Sequence, residues 1–286
     1  LRRDGVEFPI EVSFSDMLLN EQRRIVGFIR DITERKLAER ELRENQEQFR
    51  VAREIQQRLF PKSAPGCPGF DIAGASYPAE ATGGDYFDYL PMLNDRLGIV
   101  VGDVTGHGVG PALLMAETRA YLRVLAGRRD DAGEILTRAN GILAEDVGSE
   151  RYITLFLGRL DPKQRTLAYA SAGHSAGYVL GRDGAIKATL RRTGVPLGMQ
   201  PNTQYESRPE LQLASGDIVL LLTDGIEESA GPGEELFGIE RTLEVVRQNR
   251  DSSASQLVQH LYESVRAFCR NVPQADDITA IVVKVL

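Results

Sequence analysis

Five aspartates, Asp85, Asp103, Asp224, Asp276 and Asp277, each sit in a short turn beside a β-like run, in the segments GGDYFD, VVGDVTGHG, LLLTDGIEE and ADDITAIVV. Clustered carboxylates repel one another, so they either take up protons or hold cations. All-oxygen donors favour hard ions such as Mg²⁺ or Mn²⁺ over zinc. In three of the segments the aspartate abuts an apolar stretch (97–101, 218–222 and 278–283). A rigid sheet can use such strand ends to present charge to a cleft. The pattern points to one metal site.

Each member of the set also has a plainer reading. An Asp-Gly pair such as Asp224-Gly225 is by itself a common turn, and Asp103, between Gly102 and Gly106, fits a turn as well. Asp277 fits a metal ligand, a partner of a ligand, or a cap. Thr279 opens the last strand and can hydrogen-bond a neighbouring carboxylate. Asp88 reads as a partner of a ligand or as a solvated charge, and stays outside the set. His107 lies inside the candidate turn, where it either reaches a phosphate or a proton or only orders the loop. His174, in SAGHS, reads as structural, and His260, in a helical run, as a surface residue.

The elements that must position these groups follow from periodicity. Strand-like runs fall near 71–77, 96–101, 152–160, 167–171, 175–180, 217–222 and 278–285, and helical runs near 110–126, 132–147, 240–247 and 254–268. The strands come in consecutive blocks, so antiparallel α+β layering is expected rather than a doubly wound parallel sheet. This region, 61–286, opens with the Pro/Gly-rich loop 61–69. Upstream, 33–60 reads as one helix. Thr33 is its expected N-cap, and Leu42, Asn45, Phe49, Ala52, Gln56 and Leu59 fall on the three-four spacing of a coiled-coil seam. The polar seam residues Asn45 and Gln56 fix register at a cost in stability. The spacing predicts a parallel homodimer through this helix, against the plainer reading of a linker packing on its own domain. Residues 1–32 read as strands and turns: Arg3-Asp4-Gly5 signals a turn, Phe8, Ile10, Val12 and Phe14 alternate, and a second strand covers 25–32.

The bounds exclude several classes. The 286 residues are 42% hydrophobic and 26% charged, with a net charge of −7 and no basic stripe, which argues against nucleic-acid binding. Cys67 and Cys269 are too few and too far apart for a disulfide framework or a zinc cluster, and a cytoplasmic setting is expected. No apolar run approaches the ~20 residues of a membrane span. The chain starts Leu-Arg-Arg rather than Met and reads as a piece of something longer.

Residues 61–286 resemble the metal-dependent PPM serine/threonine phosphatases, in their bacterial SpoIIE/RsbU-like branch. The resemblance rests on Gly83-Gly84-Asp85-Tyr86-Phe87-Asp88, Gly102-Asp103-Val104-Thr105-Gly106-His107-Gly108, Thr223-Asp224-Gly225 and Asp276-Asp277-Ile278-Thr279, in order and spacing. The lead-in Ile55-Gln56 to Leu59-Phe60-Pro61 and the segment Gly194-Val195-Pro196-Leu197-Gly198 add to it. Residues 1–32, which run into the junction DITERK at 31–36, look like the closing strands of a PAS sensor domain.

The phosphatase resemblance implies an α+β fold of two stacked antiparallel β-sheets flanked by helices, with two Mn²⁺ or Mg²⁺ ions at one end. Carried over by position, Asp103 bridges both ions, and Asp224 and Asp276 hold the first. Asp85 and the backbone carbonyl of Val104 serve the second, with Asp277 a further candidate. Asp85 and Asp103 are the expected catalytic residues. Gly102, Gly106 and Gly108 would let the backbone bend and expose a carbonyl. Two ions about 3.5–4 Å apart activate a water and stabilise in-line attack on phosphorus, so no protein nucleophile is needed. The implied substrate is a phosphorylated STAS-type anti-sigma-factor antagonist, with an upstream sensor acting through 33–60. One departure stands out: many eukaryotic relatives grip the phosphate with an arginine near the start of the first sheet, and 69–85 contains no Lys or Arg. The competing functions are a catalytically silent phosphoprotein-binding module, against which the retained carboxylates count, and a two-metal phosphoesterase acting on small substrates.

Overall fold

The computed structural model describes residues 5–19, 22–80, 82–106, 108–146, 151–270 and 272–286. The chain divides into two compact units, Leu1–Val51 and Ala52–Leu286.

In the first unit, β1 (Ile10–Leu19) and β2 (Gln22–Asp31) form an antiparallel hairpin in which Ile10 faces Asp31 and Phe14 faces Gly27. The missing side chain at Gly27 makes room for the Phe14 ring, 3.2 Å from where a Cβ would stand. Val12, Phe14, Phe28 and Ile29 are all exposed, so apolar groups lie on both faces of the hairpin. The turn expected at Arg3-Asp4-Gly5 lies largely outside the described residues. The hairpin leads into α1 (Thr33–Leu59), which continues past Val51 into the second unit. Its cap is Asp31 rather than Thr33. The Asp31 carboxylate accepts from the Thr33 amide at 2.9 Å and from the Thr33 hydroxyl at 2.5 Å, and Thr33 is already helical. A carboxylate also suits the positive end of the helix dipole.

The second unit contains, in chain order, β3 (Phe70–Tyr77), β4 (Tyr86–Pro91), β5 (Leu97–Val104), α2 (Val109–Ala126), α3 (Ala132–Asp146), β6 (Ile153–Asp161) and β7 (Thr166–Ala172). It continues with β8 (Gly177–Leu180), β9 (Ile186–Leu190), β10 (Arg208–Gln212), β11 (Ile218–Leu222), α4 (Asp224–Glu227), α5 (Gly238–Gln248), α6 (Ala254–Cys269) and β12 (Ile278–Val285). Two five-stranded antiparallel sheets result, in the orders β10-β7-β6-β5-β4 and β3-β12-β11-β8-β9. Both faces of the central strands are buried, which is why they read as continuous apolar runs. Leu97, Ile99 and Val101 of β5 meet Val219, Leu221, Ile281 and Val283 between the sheets. On the opposite face, Val100 and Val104 pack under α2 and α3 with Met115, Leu122, Ile135 and Leu143. Leu220 and Val282 pack under α5 and α6 with Val246, Leu257 and Leu261. The expected α+β sandwich of two antiparallel sheets flanked by helices is what forms.

Three strands went unread in the sequence. β9 and β10 are sheet edges with largely exposed, polar sequences (IKATL and RPELQ), and Pro209 is tolerated because an edge needs no donor there. β4 was hidden by Asp88. That residue is neither a solvated charge nor part of the candidate site. Its fully buried carboxylate accepts two hydrogen bonds from Arg123 at 2.6 and 2.7 Å and one from the Tyr86 hydroxyl at 3.0 Å, tying α2 to β4.

Candidate metal centre

The candidate aspartates sit at one end of the sandwich because of strand register. Asp103 is the penultimate residue of β5, and Asp85 directly precedes β4, whose Tyr86 pairs with Gly102. Asp224 opens α4 at the end of β11, so the Asp-Gly pair is a helix start rather than a free turn. Asp276 and Asp277 precede β12, whose Ala280 pairs with Leu222. The Thr223 hydroxyl donates to Asp85 at 2.8 Å and accepts from the Thr279 amide at 3.1 Å, stitching the two sheets together at this end.

Close backbone approaches fix the cluster. A Cβ on Gly225 would collide with the Asp277 carbonyl, and one on Gly83 with the Asp277 carboxylate. A Cβ on Gly84 would stand 2.9 Å from Asp103 Oδ1 and closer still to the Val104 carbonyl oxygen. The second and fourth loops therefore meet the first and third only because glycine stands at each contact. Gly106 and Gly108, with φ of +93° and +89°, make the bend after Asp103 that the sequence suggested. Gly102 serves differently: it lies within β5, where a Cβ would be 2.7 Å from the Thr154 carbonyl.

The electrostatics are those of crowded anions. Burial, and then the charges of Asp103 and Asp277, push the Asp85 carboxyl well above the usual carboxylate range, against the pull of the Thr279 and Thr223 hydroxyls. Burial, then Asp224, Asp276 and Asp277, push Asp103 up to about 7. Burial and Asp276 raise Asp224. Asp103 is thus the member whose field joins Asp85 on one side to Asp224 and Asp276 on the other. Asp277 is buried and already engaged: its carboxylate accepts from the amides of Ala79 at 2.8 Å and Asp85 at 3.4 Å, and so shapes the loop that carries Asp85. Asp276 is exposed and accepts from the Asp277 amide at 2.8 Å. Among the described residues no three His, Cys, Asp or Glu side chains close on a single point. An all-oxygen set in which Asp85, Asp103, Asp224 and Asp277 are held at raised pKa, with the Val104 carbonyl against Gly84 beside Asp103, fits a hard divalent cation.

One contact was misassigned from sequence, and one residue read as structural proves to be so. Gln56, placed by spacing on the coiled-coil seam, is buried, and its amide pairs with the backbone of Gly83: Nε2 donates to the Gly83 carbonyl at 2.6 Å, and Oε1 accepts from the Gly83 amide at 3.1 Å. The last turns of α1 are thereby bonded to the loop that carries Asp85. His174 is buried and structural. Its Nε2 lies 3.0 Å from the Leu222 carbonyl, so that nitrogen carries the proton, and its Nδ1 accepts from the Thr154 hydroxyl at 2.9 Å. It joins the strand leading to Asp224 to the residue that pairs with Asp103. Burial lowers its pKa to about 4. His107 lies outside the described residues. A cation absent from 69–85 appears elsewhere: the Arg151 guanidinium lies over Gly110 in the first turn of α2.

Comparison with known proteins bears on the family and the fold. The family described as Stage II sporulation protein E (SpoIIE) matches residues 94–286. The chain is 29% identical over 266 residues to Protein IcfG of Synechocystis sp., covering 84% of this chain and 42% of that protein. It is 26% identical over 239 residues to the phosphoserine phosphatase RsbU of Bacillus subtilis, covering 83% and 70%. It therefore spans less than half the length of Protein IcfG. The fold superposes on the SiaA-PP2C domain of Pseudomonas aeruginosa with a TM-score of 0.74 at 23% identity, over 85% of this chain and 98% of that one.

Proposed function

Because the chain belongs to the SpoIIE family, we propose that it is a metal-dependent phosphoprotein phosphatase that hydrolyses phosphoserine or phosphothreonine. The observation that carries this reading is the convergence of four carboxylate-bearing turns at one end of the sandwich, with Asp103 feeling the charge of both flanking groups. In this reading Asp103, Asp224 and Asp276 would hold one Mn²⁺ or Mg²⁺, and Asp85, Asp103 and the Val104 carbonyl would hold a second. Asp277 positions the Asp85 loop. When bound, the two ions supply an activated water and neutralise charge on the phosphoryl group. The protein's own share is placement: Thr223 orients Asp85, His174 ties the strands that present Asp103 and Asp224, and Gln56 holds Gly83.

The similarity to a phosphoserine phosphatase named RsbU supports a substrate of the STAS type, an anti-sigma-factor antagonist in a cytoplasmic partner-switching pathway. The Gln56–Gly83 pair supports control through α1, since any shift of that helix pulls on the Asp85 loop. We infer an upstream PAS-type sensor, of which the β1–β2 hairpin is the closing part, and a parallel dimer through α1, where Leu42 and Phe49 are exposed. Among the described residues no helix is long and apolar enough to cross a membrane.

The test is phosphate release from a serine-phosphorylated STAS-domain protein with Mn²⁺, Mg²⁺ or EDTA. Turnover that EDTA abolishes is expected. Tight binding of the phosphoprotein without turnover would identify a silent binding module instead.

A further inference from the structure

We propose that a groove running from Tyr152 past Gly173 to Arg191, Arg192 and Arg208 is a docking surface for an acidic polypeptide segment flanking the phosphorylated residue. The proposal rests on the phosphatase reading above and concerns how that site selects its substrate.

Two open cavities of about 720 and 650 Å³ adjoin at Gly173 and Arg192. The first lies beside the strand end that carries Asp103. Thr154 in its wall pairs with Asp103 across β5 and β6, and Tyr152 exchanges hydrogen bonds with Thr105, two residues beyond Asp103. Its remaining wall, with Val195, Pro196 and the exposed Met199, is largely apolar. The second cavity continues from His174 to a rim of three arginines. Arg191 and Arg192 follow β9 at the edge of one sheet, and Arg208 opens β10 at the edge of the other. The groove thus lies where the two sheet edges meet.

The charges here are unusual for this chain. Its net charge is −7, yet all three arginines are exposed and none forms an ion pair among the described residues. The backbone that follows Arg191 and Arg192 is also held in place. Thr193 and Gly194 bond the arginine-bearing loop to Ser171 and Gly173 at the end of β7, at 2.8–3.1 Å. Guanidinium groups without a carboxylate partner attract and orient carboxylates. An acidic peptide is the complement. Three cations on an acidic protein are too few for a polynucleotide, which needs a longer basic track.

The experiment compares kcat/KM, with Mn²⁺, for three substrates: a phosphoserine peptide flanked by Asp and Glu, the same peptide flanked by Lys, and p-nitrophenyl phosphate. The unaltered chain should prefer the acidic peptide, and roughly 0.5 M salt should erode that preference. In the triple variant R191E/R192E/R208E the ratio of acidic-peptide to p-nitrophenyl phosphate kcat/KM should fall about tenfold, mainly through KM. The triple Lys variant should retain most of it. An unchanged ratio in the charge-reversed variant, a preference of the unaltered chain for the Lys-flanked peptide, or stronger competition by a single-stranded oligonucleotide than by the acidic peptide would overturn the proposal. Absence of turnover of all three substrates by the unaltered chain would overturn the hydrolase reading itself, and the groove with it.

Discussion

Asp103 is where the charges of the site meet, and its protonation has a measurable sign. Its folded pKa of about 7 lies above the roughly 3.9 of an unfolded aspartate. Its contribution to stability is therefore greatest below about pH 4 and is lost as pH rises through 7. In EDTA at pH 7.5, Asp103→Asn should stabilise the fold by about 1–3 kcal/mol, and it should also abolish the rise in melting temperature that Mn²⁺ gives the unaltered chain. A lower melting temperature for the variant in EDTA would contradict this. His174 works the other way. Its folded pKa of about 4 lies below the 6.5 of an unfolded histidine, so its contribution is full above pH 6.5 and is lost as pH falls towards 4. The slope reaches about 1.4 kcal/mol per pH unit. Urea midpoints for His174→Asn should fall less between pH 7 and pH 5 than those of the unaltered chain; parallel falls would show that His174 titrates freely. Asp85, Asp103 and Asp224 were legible in the sequence because each stands beside a glycine or threonine at a strand end, and Asp276 and Asp277 because they directly precede the last apolar strand. The place of Asp277 beneath Gly83 and Gly225 was not, because such contacts join residues far apart in the chain.

At the scale of elements, α1 carries two kinds of surface. Leu42 and Phe49 are exposed, whereas Leu59 and Phe60 pack on the core and Phe60 stacks on Phe87 at 5.5 Å. Gln56 sits between. Gln56→Ala leaves the Gly83 amide and carbonyl without their partner, at a cost of about 1–3 kcal/mol. It should also weaken Mn²⁺ binding several-fold in a calorimetric titration; unchanged affinity would show that the Asp85 loop does not depend on α1. Leu42→Asp with Phe49→Asp should halve the solution mass seen by light scattering, and an unaltered mass would exclude the seam. A heptad pattern read from sequence could not separate Gln56 from these residues, since spacing reports a helical face and not what covers it. The edge strands β9 and β10 were illegible for a related reason: half-exposed strands carry no apolar alternation.

At the scale of the molecule, the two-sheet core of the second unit explains why its central strands were legible as apolar runs, and why the antiparallel sandwich followed from their consecutive order. The same architecture delivers the ends of β5 and β11 and the starts of β4 and β12 to one place. The central claim is that this end hydrolyses phosphoserine through divalent ions held around Asp103. The most direct measurement is phosphate release from a serine-phosphorylated STAS-domain protein across a Mn²⁺ titration, for the unaltered chain and for Asp103→Asn. Turnover that rises with Mn²⁺, vanishes in EDTA and is lost in the variant is the predicted result. Turnover that survives EDTA or the loss of the Asp103 carboxylate would contradict the account.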